Sequence, residues 1–134
     1  MNVEEVFIGK KLSDEELAHA MAYTFHLPPE KVAVVPELSG DEDLSEVNII
    51  CQNEEIEGQF FHKVQIFGYN SDDPELFGKL LVKLAKHLDC DCLTPDSDSF
   101  SPFDMIRVTS SGKISEERLS TDQFEKEQFI LEAS

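Results

Sequence analysis

Residues of metal-binding type stand close together at His87, Cys90, Asp91 and Cys92. On a strand the two sulfurs would share a face, an arrangement that suits zinc. A closed zinc site takes four ligands with cysteines two to four residues apart, whereas these are one residue apart. The only further cysteine is Cys51. Thiols acting as small core hydrophobes fit better, so neither a metal nor another cofactor is expected. Asp96-Ser97-Asp98-Ser99 opens like a calcium loop, but Phe100 stands at the next ligand position and Arg107 where the bidentate glutamate belongs. Nucleophilic catalysis needs a nucleophile, a base and an orienting group, and no Gly-x-Ser-x-Gly elbow supplies the first. No glycine-rich phosphate loop follows a strand. With 28 Asp and Glu, carboxylate pairs arise by chance. The chain is expected not to be an enzyme.

The charge is the stronger signal. Against those 28 acids stand 11 Lys and Arg, a net charge of −17 on 134 residues. Counterion release rewards cationic proteins on phosphate backbones, so direct binding to nucleic acid is not expected. The same sign disfavours anionic membrane surfaces. No apolar run has the length of a membrane span, and Met-Asn-Val-Glu-Glu lacks the basic start of a signal peptide. An odd, small number of cysteines fits a reducing compartment. A cytoplasmic location is therefore expected. So much like charge on a domain with a radius of gyration of about 14 Å costs stability, which points to a basic partner.

The elements that would carry these groups follow from local pattern. Val3 to Ile8, closed by Gly9, reads as a first strand. Ser13-Asp14-Glu15-Glu16 is a capping box, and Leu17, Met21, Thr24 and Phe25 continue it as a helix over residues 13–27, ended by Pro28 and Pro29. Lys31 to Val35 is β-branched and reads as a strand buried on both faces. Residues 45–52 and 59–68 alternate with period 2 and are expected to pair antiparallel, with 53–58 as their connection. On the second of these, Phe60, His62, Val64 and Ile66 share a face, which makes His62 a hydrogen-bonded core histidine.

Asp72 as cap and Pro74 start a helix over residues 73–88, with Phe77, Leu80, Leu81, Leu84 and Leu88 as its buried stripe. Lys79, Lys83 and Lys86 read as its solvated side. Cys90 to Leu93 makes a short strand, with residues 94–102 an irregular loop after it. A hairpin turning at Ser110-Ser111-Gly112, one helical turn over Ser120 to Glu125, and a strand at Phe129-Ile130-Leu131 complete the chain. The expected architecture is one α+β domain, 1–134, with a mainly antiparallel sheet carrying two helices.

With Phe7-Ile8-Gly9-Lys10 leading into Leu12-Ser13-Asp14-Glu15-Glu16, and a leucine-rich helix running into Cys90-Asp91-Cys92-Leu93 and Pro95-Asp96, the chain resembles bacterial immunity proteins. These belong to contact-dependent growth inhibition and other polymorphic toxin systems, and the likeness is one of overall character across most of the chain. It implies a cytosolic protein that binds a basic toxin domain, often a nuclease, and covers its active site. Acidic secretion chaperones of the type III class and nucleic-acid-mimic inhibitors share the electrostatics. The former end in a long amphipathic helix, whereas this chain ends in a strand-like Glu127 to Glu132.

The densest acid lies in residues 37–57, which contain no Lys or Arg. The partner-binding residues expected there are Asp41, Glu42, Asp43 and Glu46 on or beside a loop, with Glu54, Glu55 and Glu57 from the next turn.

Overall fold

Local chemistry accounts for both helices. In the computed structural model, which describes residues 3–36, 47–68, 76–96, 101, 103–120 and 128–131, α1 spans Asp14–Phe25. Its capping box is present in both directions. Glu16 N–H donates to Ser13 Oγ at 3.1 Å, and Ser13 N–H donates to Glu16 Oε1 at 3.0 Å. The box satisfies two otherwise orphaned donors and holds the Glu16 carboxyl below the usual range. The helix ends at His26, which turns left-handed with φ 58° before Pro28 and a short 3-10 turn at Pro29–Lys31. The second helix, α2, spans Leu76–Leu88 and buries Leu81, Leu84, Ala85 and Leu88 along one stripe. The expected Asp72 cap and Pro74 lie outside the described residues.

The strands are β1 (Val3–Ile8), β2 (Val32–Val35), β3 (Ile49–Glu55), β4 (Glu57–Gly58), β5 (His62–Phe67), β6 (Cys92–Pro95), β7 (Asp104–Val108), β8 (Ile114–Arg118) and β9 (Gln128–Phe129). Seven of them form one sheet in the order β2-β3-β5-β1-β6-β7-β8, and β4 and β9 pair separately. Within the large sheet only β2 and β3 run parallel. The fold is α+β, as the order of elements implied.

Several strand expectations need correction. β2 is not buried on both faces. It sits at the sheet edge beside β3 alone, and only Val32 is fully buried. The strand β3 runs on through Asn53 to Glu55, because those residues stay in register with β5 as far as Glu55 opposite His62. Phe60 does not share the face of His62. The chain leaves the sheet there, and Phe60 packs with Phe7, Leu93 and Met105 on the opposite side. Thr94 and Pro95 belong to β6 and not to a loop, since both pair with β7. Gly112 turns the β7–β8 hairpin at φ 89°, as expected. The helical turn expected over Ser120 to Glu125 falls largely outside the described residues.

Alternation divides the apolar residues between two clusters. Val6, Ile8, Val64, Ile66, Ile49 and Cys51 lie under both helices and meet Leu17, Met21, Leu81 and Leu84. On the other face Phe7, Leu93 and Met105 are covered by Phe60, Leu119 and Leu131. The C-terminal segment is tied down there by Leu119 pairing with Leu131 and by Leu131 N–H donating to Gln59 Oε1 at 2.6 Å. Among the described residues no helix is long and apolar enough to cross a membrane.

The strand β1 occupies the middle of the sheet, between β5 and β6. Its pairing with β5 runs the whole strand, from Val3 opposite Phe67 to Ile8 opposite His62. With β6 only Phe7–Leu93 and Ile8–Cys92 pair. That short seam is reinforced by Gly9 N–H donating to the Asp91 carbonyl at 2.9 Å and Thr94 Oγ1 donating to the Glu5 carbonyl at 2.8 Å. A methyl on Gly9 would lie 2.9 Å from the Asp91 carbonyl oxygen. Gly9→Ala is therefore expected to push the seam apart and cost about 1–3 kcal/mol, read as a lower urea midpoint.

Candidate functional site

At one end of the sheet, beside the start of α1, a cleft of about 460 Å³ is lined by Lys11, Glu55, Ile56, Glu57, Gly58, Phe61 and His62. Its size lies within the ~300–1,000 Å³ typical of ligand pockets. Three segments build it. The strand β3 ends at Glu55, β4 follows immediately with Glu57, and the chain returns through Phe61 into β5 at His62. Ile56 N–H donates to the Phe61 carbonyl at 3.0 Å, and Phe61 N–H donates to the Ile8 carbonyl at 2.9 Å. These two bonds hold the turn against the sheet. Phe61 remains 40% exposed, which leaves its ring accessible from the cleft.

Period-2 alternation sorts the expected acids. Glu55 stands opposite His62 and lines the cleft, together with Glu57. Glu54 stands opposite Lys63 and points to the other face, where Lys63 also pairs with Glu5 at 3.9 Å. Asp41, Glu42, Asp43 and Glu46 lie outside the described residues. Of the seven acids expected to bind a partner, the structure thus brings Glu55 and Glu57 together and separates Glu54 from them.

The inner wall of the cleft is His62, only 1% exposed and bonded through both ring nitrogens. Leu12 N–H donates to Nε2 at 2.8 Å. Nε2 is thereby an acceptor, so the proton of the neutral ring sits on Nδ1 and is donated to Asn53 Oδ1 at 3.0 Å. Asn53 Nδ2 donates in turn to Asp14 Oδ1 at 3.3 Å. The chain of bonds ties β5, β3 and the start of α1 together. Desolvation lowers the His62 pKa below the usual histidine value of 6.5, outweighing the nearby carboxylates Glu55 and Asp14. The core histidine was legible from alternation. Lys11, Phe61 and Asn53 were not singled out in the sequence, although an exposed Phe61 follows from the same alternation.

The thiols occupy other places. Burial pushes Cys51 up to about 12. Cys92 is fully buried, and its hydrogen bond to Cys90 raises it and lowers the half-buried Cys90. Among the described residues no group of three or more His, Cys, Asp or Glu is placed to hold a metal ion. Asp91 instead pairs with Arg107, whose Nε donates to Asp91 Oδ2 at 2.9 Å. On α2, Lys79 and Lys86 are exposed as expected, but Lys83 is half-buried. Its Nζ donates to His26 Nε2 at 2.9 Å and lies 4.6 Å from the centre of the Tyr23 ring, which stacks on His87.

Two outcomes follow from these environments. His62→Leu leaves the Leu12 N–H without an acceptor and is expected to cost about 1–3 kcal/mol near neutral pH. Because the folded pKa of His62 lies below the unfolded one, its contribution is full above 6.5 and declines as pH falls below it. The difference in stability between wild type and His62→Leu should therefore shrink on acidification from pH 8 to pH 5, measured by urea unfolding. Second, iodoacetamide should alkylate Cys90 in the folded protein and leave Cys51 and Cys92 intact until unfolding, read by peptide mass spectrometry.

No family model, no curated protein and no solved structure matches this chain. Its own geometry therefore carries the functional reading.

Proposed function

We propose that this protein acts by occupation: it binds a basic protein domain and covers that domain's working surface, in the manner of an immunity protein against a toxin. The observation that carries the reading is the acid-rimmed, phenylalanine-lined cleft on a chain of net charge −17. A lysine or arginine side chain of the partner would lay its stem and charge against the Phe61 ring while its head meets Glu55 and Glu57. The surrounding negative field would draw such a partner in, raising association towards about 10⁸ M⁻¹s⁻¹ at low salt. Asp41, Glu42, Asp43 and Glu46, which precede β3 in the chain, would add their negative charge to that field.

The test is to recover the bound protein from the native cell, identify it, and measure association across a salt series. Two sets of variants separate the contributions. Glu55→Gln with Glu57→Gln and Phe61→Ala removes the cleft chemistry. Asp41→Asn, Glu42→Gln, Asp43→Asn and Glu46→Gln neutralise the preceding stretch. The expected result is a basic partner. The neutralising sets should slow association about tenfold at low salt and flatten its salt dependence, whereas Phe61→Ala should mainly hasten dissociation. A neutral or acidic partner, or rates and salt slope unmoved by both sets, refutes the reading.

A further inference from the structure

The cleft wall contains a group with two mutually exclusive bonding states. In its neutral form His62 accepts the Leu12 N–H at Nε2, and this bond anchors the segment just before the α1 cap. That segment includes Lys11, which lines the cleft. A proton added to Nε2 turns the acceptor into a donor, and the Leu12 N–H then faces another N–H. The doubly protonated ring can keep its Nδ1–H bond to Asn53, but Nε2–H needs a new acceptor. Glu55 is the direct cross-strand neighbour of His62, with side chains on the same face. Cross-strand pairs place their Cβ atoms about 4.5–5.5 Å apart, within reach of a carboxylate.

We propose that His62 is a proton-operated latch: protonation at Nε2 releases the Leu12 N–H, turns the ring's bond to the Glu55 carboxylate, and frees the Lys11 side of the cleft. Among the described residues three charged groups bear on this balance. Glu55 from β3 and Asp14 from α1 favour the proton, and Lys11 from the segment before α1 opposes it. The strand β1 contributes only Ile8 opposite His62. Burial of the ring opposes the proton as well, so the latch is closed at neutral pH and opens in acid. Its effect on a partner rests on the binding reading above, but the latch itself is a property of the protein alone.

The experiment uses the isolated full chain. Imidazole nitrogen NMR reads the tautomer and titration of His62, and amide hydrogen exchange, corrected for intrinsic rates, reads Leu12. At pH 7.5 the expected state is neutral with the proton on Nδ1. As Nε2 takes up a proton, Leu12 protection should fall about tenfold while that of Val64, on the same strand, holds. Glu55→Gln, at an exposed position, should move the midpoint to lower pH. The proposal is overturned if Leu12 protection stays constant through the His62 titration, or if Val64 loses protection together with Leu12. It is equally overturned if the neutral proton sits on Nε2, if His62 stays neutral until the protein unfolds, or if Glu55→Gln leaves the midpoint in place.

Discussion

The sheet depends on a single strand, β1, being inserted between two groups of strands. The β6–β7–β8 strands form an antiparallel run on one side, and β2, β3 and β5, with β2 parallel to β3, form the group on the other. Neither group contacts the other through strand pairing except through β1. Its junction with β6 is short, so the seam draws on groups outside the ladder. The close approach of Gly9 to Asp91 and the Thr94 hydroxyl on the Glu5 carbonyl bridge it, and Lys10 Nζ, donating to the Leu88 carbonyl at 3.2 Å, ties the segment after β1 to the end of α2. Glycine is needed at position 9 because a backbone carbonyl, which cannot swing aside as a side chain can, occupies the space of a Cβ.

The same strand determines the surroundings of the cleft. Ile8 ends β1 opposite His62, and the chain turns from there through Lys11 and Leu12 into α1. Leu12 is buried, and its backbone N–H would lose water without gaining a partner if His62 were absent. A buried imidazole in this fold therefore serves as a connector between helix and sheet. It also places a titratable group in the wall of the cleft that Glu55 and Glu57 line, so the stability of the α1 start and the chemistry of the cleft share one residue.

The acidity has a structural consequence apart from any partner. Most of the described carboxylates are on the surface, where like charges repel and lower stability. The basic residues are used locally against that repulsion. Lys63 meets Glu5, Arg118 meets Asp104, and Arg107 lies between Asp91 and Glu117. No cation forms such a pair with Glu55 among the described ion pairs, although Lys11 also lines the cleft. An acid-lined recess with an aromatic side is thus suited to receiving positive charge.

What the sequence determined by itself were the features whose causes are a few residues apart. The capping box ties Ser13 to Glu16, the leucines of α2 repeat at helical spacing, and Gly112 supplies the positive φ of its own hairpin. The total charge and the alternation that buries His62 are likewise local facts. The central position of β1, the edge position of β2 and its parallel pairing depend on strands far away in the chain, which no local pattern encodes. Asn53 reads as a turn residue until its partners His62 and Asp14 are in place. Leu12 meets His62 across 50 residues. Glu54 and Glu55 are equivalent as neighbouring acids, and only the register of β3 against β5 sends one to the cleft and the other to the opposite face. Tertiary structure decided these points because strand pairing and burial, unlike helix capping, are settled between segments that approach one another only when the chain has folded.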